Sequence, residues 1–184
     1  MNKKLSASFI KLIAALFVSA VAIIPSYSGT RGEKTFGIHG GYISRNSSAE
    51  IGLFFQYSFT EYFRLQPSAD LSFRHRNRDS FLFDLNAQFP IPILSKSHFS
   101  LYPFAGLNFS SWNRHYNVPK PGSDEAWDEF NPGYNNRTNR FGANIGAGFD
   151  LKVNSTLKLN VEGGYTFVKA NSGVRVLFGI GYVF

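Results

Sequence analysis

In eight segments of this chain apolar residues recur at every second position, and beyond Lys34 at the very start of the first none of the eight apolar rows holds a Lys, Arg, Asp or Glu. A period of two is that of a strand, whose successive side chains point to opposite faces. The segments run over about 34–44, 49–59, 62–74, 80–89, 98–111, 139–151, 156–168 and 173–184. In the second, Ile51, Leu53, Phe55, Tyr57 and Phe59 oppose Gly52, Gln56 and Ser58. In the sixth, Phe141, Ile145 and Phe149 oppose Arg140, Asn144, Gly146 and Asp150. The last sets Val174, Val176, Phe178, Ile180, Tyr182 and Phe184 against Arg175, Gly179 and Gly181. This pattern predicts an all-β chain folded as an eight-stranded antiparallel up-and-down barrel.

Alternation alone does not say which row is outside, because a lipocalin-like soluble barrel has the same period with its apolar row within. The composition of the other row decides. It is rich in Gly, Asn, Gln and Ser and poor in the Lys and Glu that coat a soluble surface, as though it filled a narrow interior. Aromatic residues collect at row ends (Tyr42, Phe59, Tyr62, Phe63, Tyr165, Phe167), where the girdles of a membrane barrel lie at the two interfaces. An Arg or Lys on such a wall costs ~2–4 kcal/mol near the midplane, which accounts for rows free of charge. Connections also alternate, from the short Thr60-Glu61 and Lys152 to Ser155 to the long Trp112 to Thr138. Short turns on the periplasmic side and longer loops outside are the pattern of transmembrane barrels, and an even strand number puts both termini at the periplasmic end.

The start of the chain differs in kind. Lys3 and Lys4 precede an apolar run from Ile13 to Ile24, followed by Pro25-Ser26-Tyr27-Ser28-Gly29. The run is shorter than the ~20 residues a spanning helix needs. Residues 1 to about 28 therefore read as a cleaved signal peptide, and 29–184 as the mature barrel. Without its three lysines the balance is 16 basic against 12 acidic residues, too weak an excess to point to nucleic acid, and no nucleic-acid motif is present. The chain has no cysteine, so thiolate metal sites, thiol nucleophiles and disulfides are excluded. No metal site or cofactor is expected.

The final stretch, Gly173 to Phe184, carries the resemblance. Its alternating row Phe178, Ile180, Tyr182, Phe184, ending on an aromatic residue, resembles the β-signal of bacterial outer-membrane barrels. With the strand count and row composition, the mature chain resembles small eight-stranded outer-membrane proteins of the OmpA transmembrane-domain and OmpX type. The resemblance implies an outer-membrane location in a Gram-negative bacterium, contact with outer-membrane lipids, and recognition of the last strand by the barrel assembly machinery. It specifies architecture and leaves activity open.

Eight strands enclose a space just wide enough for side chains, so no aqueous pore is expected. The inward rows carry Arg64, Arg140, Lys158 and Arg175 against Asp70, Asp84, Asp150 and Glu162, four of each sign. Unpaired, any of these charges would be costly to bury, so a balanced network of ion pairs and hydrogen bonds is predicted. A hairpin centred near Asn77 would set Asp70 directly opposite Asp84, with Arg64 or Arg175 supplying the cation between them. A turn near Asn154 would place Asp150 opposite Lys158.

At the outer ends of the strands, Arg74, Arg76, Arg78, Arg114 and Arg137 form a basic rim suited to bidentate bonds with the phosphates of lipopolysaccharide. A solvated rim with no bound partner is the alternative. In the long loop, Trp112, Trp127, Phe130 and Tyr134 accompany Asp124 and Asp128, a mixture fitted to a protein or glycan partner. The spacing is not that of a calcium loop.

Some barrels of this size modify lipid A, using a Ser nucleophile with a His base at the outer interface. Here His75, Asp79 and Ser80 share one loop, and Ser110, Ser111 and His115 another, but neither set forms the deacylase-like His-x-Ser-Asn arrangement. The reading is a non-enzymatic barrel acting in envelope structure, or in adhesion and binding of a host or envelope protein through its outer loops. The alternatives are a lipid A acyltransferase or deacylase, and an accessory subunit of a larger outer-membrane complex.

Overall fold

The computed structural model describes residues 31–45, 47–75, 78–92, 99–115, 135–169 and 171–184. The predicted signal peptide lies outside them. Eight long strands follow in order: β1 (Lys34–Ile43), β2 (Ser48–Thr60), β3 (Phe63–His75), β4 (Arg78–Gln88), β5 (Phe99–His115), β6 (Asn135–Lys152), β7 (Leu157–Val168) and β8 (Gly173–Val183). A two-residue strand, Ile91–Pro92, pairs with Leu101 and Ser100 in the same register that carries Gln88 to Phe104, and Phe89 N–H donates to the Pro103 carbonyl at 3.0 Å between them. It is the tail of β4, so pairing continues beyond residue 89, where the fourth segment is expected to end.

Every strand pairs antiparallel with its chain neighbours, and β1 pairs with β8 from Thr35↔Val183 to Ile43↔Arg175, which closes the cylinder. Phe184 takes part in the seam, exchanging backbone hydrogen bonds with Lys34 at 2.9 and 3.3 Å. With no edge left along the body of the sheet, each backbone group there has a partner within it, the condition for crossing hydrocarbon with strands.

The apolar rows face outward. Ile38 is 50% exposed, Leu85 40%, Leu107 67% and Ile145 42%, whereas Asp70 and Asp84 are at 0% and Arg64 at 4%. A wall this apolar with a charged interior is the inverse of a soluble barrel. Aromatic side chains collect at the end that bears the termini: Tyr57 and Phe59 meet edge to face, and Phe59, Phe63 and Phe89 follow in tilted contact, at centroid separations of 4.6, 5.8 and 5.7 Å.

The interior is less uniformly polar than the sequence suggests. Phe54, Leu82, Tyr102, Phe104 and Leu177 are all buried within it. Their rings occupy space that glycines on facing strands leave empty: a methyl group on Gly37 would strike Phe54, and one on Gly146 would strike Phe104. A cavity of about 20 Å³ remains among Phe104, Leu177, Asn86, Glu162 and Arg175, room for roughly one water.

Two registers depart from expectation. A bulge between Ser72 and His75 sets the β3–β4 ladder so that Asp70 lies opposite Leu82, and Asp84 opposite Ser68. The β6–β7 turn is held by the Asn154 side chain, whose Oδ1 accepts from the Thr156 and Leu157 N–H groups at 2.9 and 2.7 Å. Asp150 consequently faces Asn160, and Lys158 faces Lys152.

Candidate functional site

Two polar clusters fill the barrel. The one nearer the long loops is built on Arg175, an inward residue of β8. Its Nε donates to Glu50 Oε1 at 2.6 Å, its Nη2 lies 2.7 Å from Asp70 Oδ2, and its Nη1 reaches Asp84. The guanidinium is the cation between the two aspartates, which bridge through it and not across the ladder. Neutral donors complete the cluster. Asn108 and Asn144 donate to Asp84 Oδ1 at 2.5 and 2.8 Å, Ser68 donates to Asp70 Oδ2 at 3.1 Å, and His39 Nε2 pairs with Asp70 Oδ1. His39 also stacks on Phe54, with centroids 5.3 Å apart.

The second cluster lies towards the end bearing the termini. Arg64 Nη1 donates to Asp150 Oδ2 at 2.5 Å, its Nε bonds Gln88, and its guanidinium carbon sits 4.3 Å above the Tyr102 ring. Glu162 Oε1 accepts from Tyr102, Gln66 and Gln88 at 2.9, 2.9 and 3.0 Å. Lys158 Nζ donates to Gln56 Oε1 at 2.5 Å and lies 3.8 Å from Glu33, which also pairs with Lys152.

This census corrects the expected balance of four against four. Among the described residues the buried interior holds Arg64, Lys158 and Arg175 against Glu50, Asp70, Asp84, Asp150 and Glu162. Glu50 occupies the inward row of β2, two residues before Gly52, and its parity was the available signal. Arg140 is exposed and outside the network. It has inward parity, but the last β6–β7 rung is Gly142↔Val168, so Arg140 stands above the closed part of the cylinder. Lys158 pairs with Gln56 and Glu33 in place of Asp150.

At the mouth near the long loops, Arg45 follows β1 and reaches across the opening. Its Nη1 donates to Ser110 Oγ at 3.2 Å and to the Asn171 carbonyl at 3.4 Å. Burial there, and then the like charge of Arg175, pull its guanidinium down from the ordinary arginine range to about 10.

The basic rim is partly visible. Arg78 pairs across the ladder with Arg114, and Asn113 with Arg137, which brings these three arginines together at the raised end of the sheet. Arg76 lies outside the described residues, as do Trp127, Asp124, Asp128, Phe130 and Tyr134; Arg74 is placed only through the backbone of β3. Trp112 belongs to β5, at 4% exposure inside the mouth, and is not a residue that the loop presents. It continues the inward row of Asn108 and Ser110, because β5 runs four residues beyond its expected end.

Of the grouped residues, the side chains of His75 and His115 lie outside those described, and the hydroxyls have the following neighbours. Ser80 Oγ lies 2.5 Å from Ser72 Oγ, Ser110 donates to Asn108 at 2.5 Å, and Nδ1 of His39 is buried without a partner. In the final strand, Phe178, Ile180, Tyr182 and Phe184 are 62%, 43%, 59% and 61% exposed on the outer wall.

No family model matches the sequence, and no curated protein matches it. Solved structures do match the fold. The N-terminal β-barrel domain of Pseudomonas aeruginosa OprF is 18% identical, with a TM-score of 0.62, over 84% of this chain and 98% of that one. Neisserial surface protein A is 13% identical, with a TM-score of 0.59, over 85% and 100%. Ail, the attachment invasion locus protein of Yersinia pestis, is 15% identical, with a TM-score of 0.56, over 84% and 100%, and a further structure holds it in complex with the heparin analogue sucrose octasulfate. At these identities the likeness is one of fold: this chain is built as the small eight-stranded membrane barrels are.

Proposed function

We propose that the chain is a non-enzymatic outer-membrane protein of a Gram-negative bacterium that binds an anionic partner at the cell surface through the raised β5–β6 hairpin. The observation that carries this is the length of the hairpin. β5 and β6 stay paired for seven rungs, from Phe109↔Phe141 to His115↔Asn135, after β7 has ended. Along that stretch no strand among the described residues covers the outer side of β6, whose backbone donors and acceptors form an open edge. Arg137, Asn139, Arg140 and Phe141 are exposed on it, with Phe141 at 82%. Two guanidinium groups beside an aromatic ring suit sulfate or carboxylate groups on a glycan or an acidic extended peptide. That the similarly folded Ail takes a sulfated sugar supports this choice of chemistry.

In this reading residues 1–28 direct export and are removed, the outward row Phe178 to Phe184 is read by the assembly machinery, and the termini lie in the periplasm. Arg78, Arg114 and Arg137, with Arg74 and Arg76, meet lipopolysaccharide phosphates at the rim. The packed interior supports a structural and binding role over solute passage.

The test uses the full mature protein in lipid nanodiscs, with immobilised heparin as the probe. Binding that weakens at least tenfold in the triple variant Arg137→Ser, Arg140→Ser, Phe141→Ala, with a steep salt dependence in the wild type, is the expected result. Equal retention of variant and wild type would refute the hairpin site.

A further inference from the structure

On the outward row of β1, Phe36, Ile38 and Tyr42 are each 50% exposed, and Gly40 interrupts them. Packing does not demand that glycine. A methyl group on it would meet only the Glu50 carbonyl at 3.4 Å, an ordinary contact, whereas one on the adjacent Gly41 would press into the β8 backbone, with Leu177 Cα at 2.9 Å. Glycine inside a strand weakens it, so a glycine with room for a side chain calls for another reason.

Gly40 lies in the floor of a shallow, open hollow of about 430 Å³ in the outer wall, bounded by the side chains of Ile38, Ile51, Phe73, Phe178 and Ile180. Phe73 and Phe178, at 57% and 62% exposure, stand up as its rims. The floor between them is open to the surroundings of the wall, so a flexible chain can lie along it. The hollow sits in the half of the wall nearer the long loops, because Gly40 pairs with Ile51 and Phe178 and Tyr42 follows towards the mouth. Its lining is apolar on the outward side, and the surroundings of this wall are hydrocarbon. The Tyr42 hydroxyl, on the same row one step nearer the interface, can bond a lipid head group.

We propose that the Gly40 hollow seats one acyl chain of a membrane lipid in the leaflet on the long-loop side, with Tyr42 against its head group. The site rests on the wall lying in a bilayer, as the proposed function requires. The chain takes the place of the missing side chain and restores an even wall there.

Protein with ¹³C-labelled Ile and Leu methyl groups, in nanodiscs of dimyristoyl phosphatidylcholine, reports the contact through nuclear Overhauser effects from lipid methylenes. The methyls of Ile38, Ile51 and Ile180 are expected to show effects at least threefold stronger than those of Ile145 and Leu107, and Gly40→Phe should bring them down to the Ile145 level. Uniform effects around the wall in the wild type would overturn the site and leave the membrane reading intact. Absence of lipid contacts at every wall methyl would overturn both. Contacts between protein copies at Ile38 and Ile51 in a mixed-label sample would assign the hollow to a second chain and overturn the lipid.

Discussion

Arg175 Nη2 lies 2.7 Å from Asp70 Oδ2, although their strands, β8 and β3, are separated in the sheet by β1 and β2. The pair spans the lumen, and Glu50 and Asp84 meet the same guanidinium from two other positions. One side chain thus ties β8 to three strands with which it shares no backbone hydrogen bonds. Removing it with Arg175→Met leaves three buried carboxylates facing one another. Breaking a buried pair costs about 3–5 kcal/mol, and the loss is expected in that range. Urea unfolding of the protein in lipid vesicles, followed by tryptophan fluorescence, measures it; a loss under about 1 kcal/mol would contradict the hub.

Arg64 and Arg140 have the same inward parity and opposite surroundings, at 4% exposure for Arg64 and above the last β6–β7 rung for Arg140. Arg140→Ser should change the unfolding free energy by no more than ~0.5 kcal/mol, as for surface substitutions. Arg64→Ser leaves the buried Asp150 carboxylate without its donor and should cost about 3 kcal/mol or more. Equal effects of the two, by the same urea titration, would mean that the height of a residue along the barrel does not govern its burial.

That contrast marks what alternation reveals and what it leaves hidden. The period of two gave the facing of each row, and hence the apolar wall around Leu85 and Ile145 and the buried aspartates. It carried no information on where a strand ends against its neighbours, so Arg140 was placed inside and Trp112 in a loop. Nor could it show a bulge at Ser72 to His75, which moves Asp70 from Asp84 to Leu82 across the ladder. Phe54 and Phe104 were hidden for a different reason. An aromatic ring on an inward row is accommodated only by glycines on other strands, and that match appears once the strands are in register.

Arg45 supplies a pH dependence of definite sign. Its folded value of about 10 lies below the ordinary arginine value, so the unfolded chain holds this proton more tightly. The folded state carries this penalty in full below about pH 10, and the penalty fades as pH climbs from there towards the ordinary arginine value. Arg45→Gln removes the charge and keeps a donor for Ser110. With solvent screening at the mouth, a gain of no more than about 1 kcal/mol is expected at pH 7, flattening the stability profile above pH 9. A loss larger than that in vesicle unfolding would show that Arg45 serves chiefly as a counter-charge to Glu50.

The central claim is that the apolar row of every strand faces hydrocarbon and the charged row fills a closed interior. Because the chain has no cysteine, single cysteines at Leu85, Leu107 and Ile145 can each carry a nitroxide without background in the bilayer-embedded protein. Collision rates with oxygen and with a water-soluble nickel chelate then report the surroundings directly. High oxygen and low nickel accessibility at all three positions is the predicted result; low oxygen with high nickel accessibility there would contradict the account.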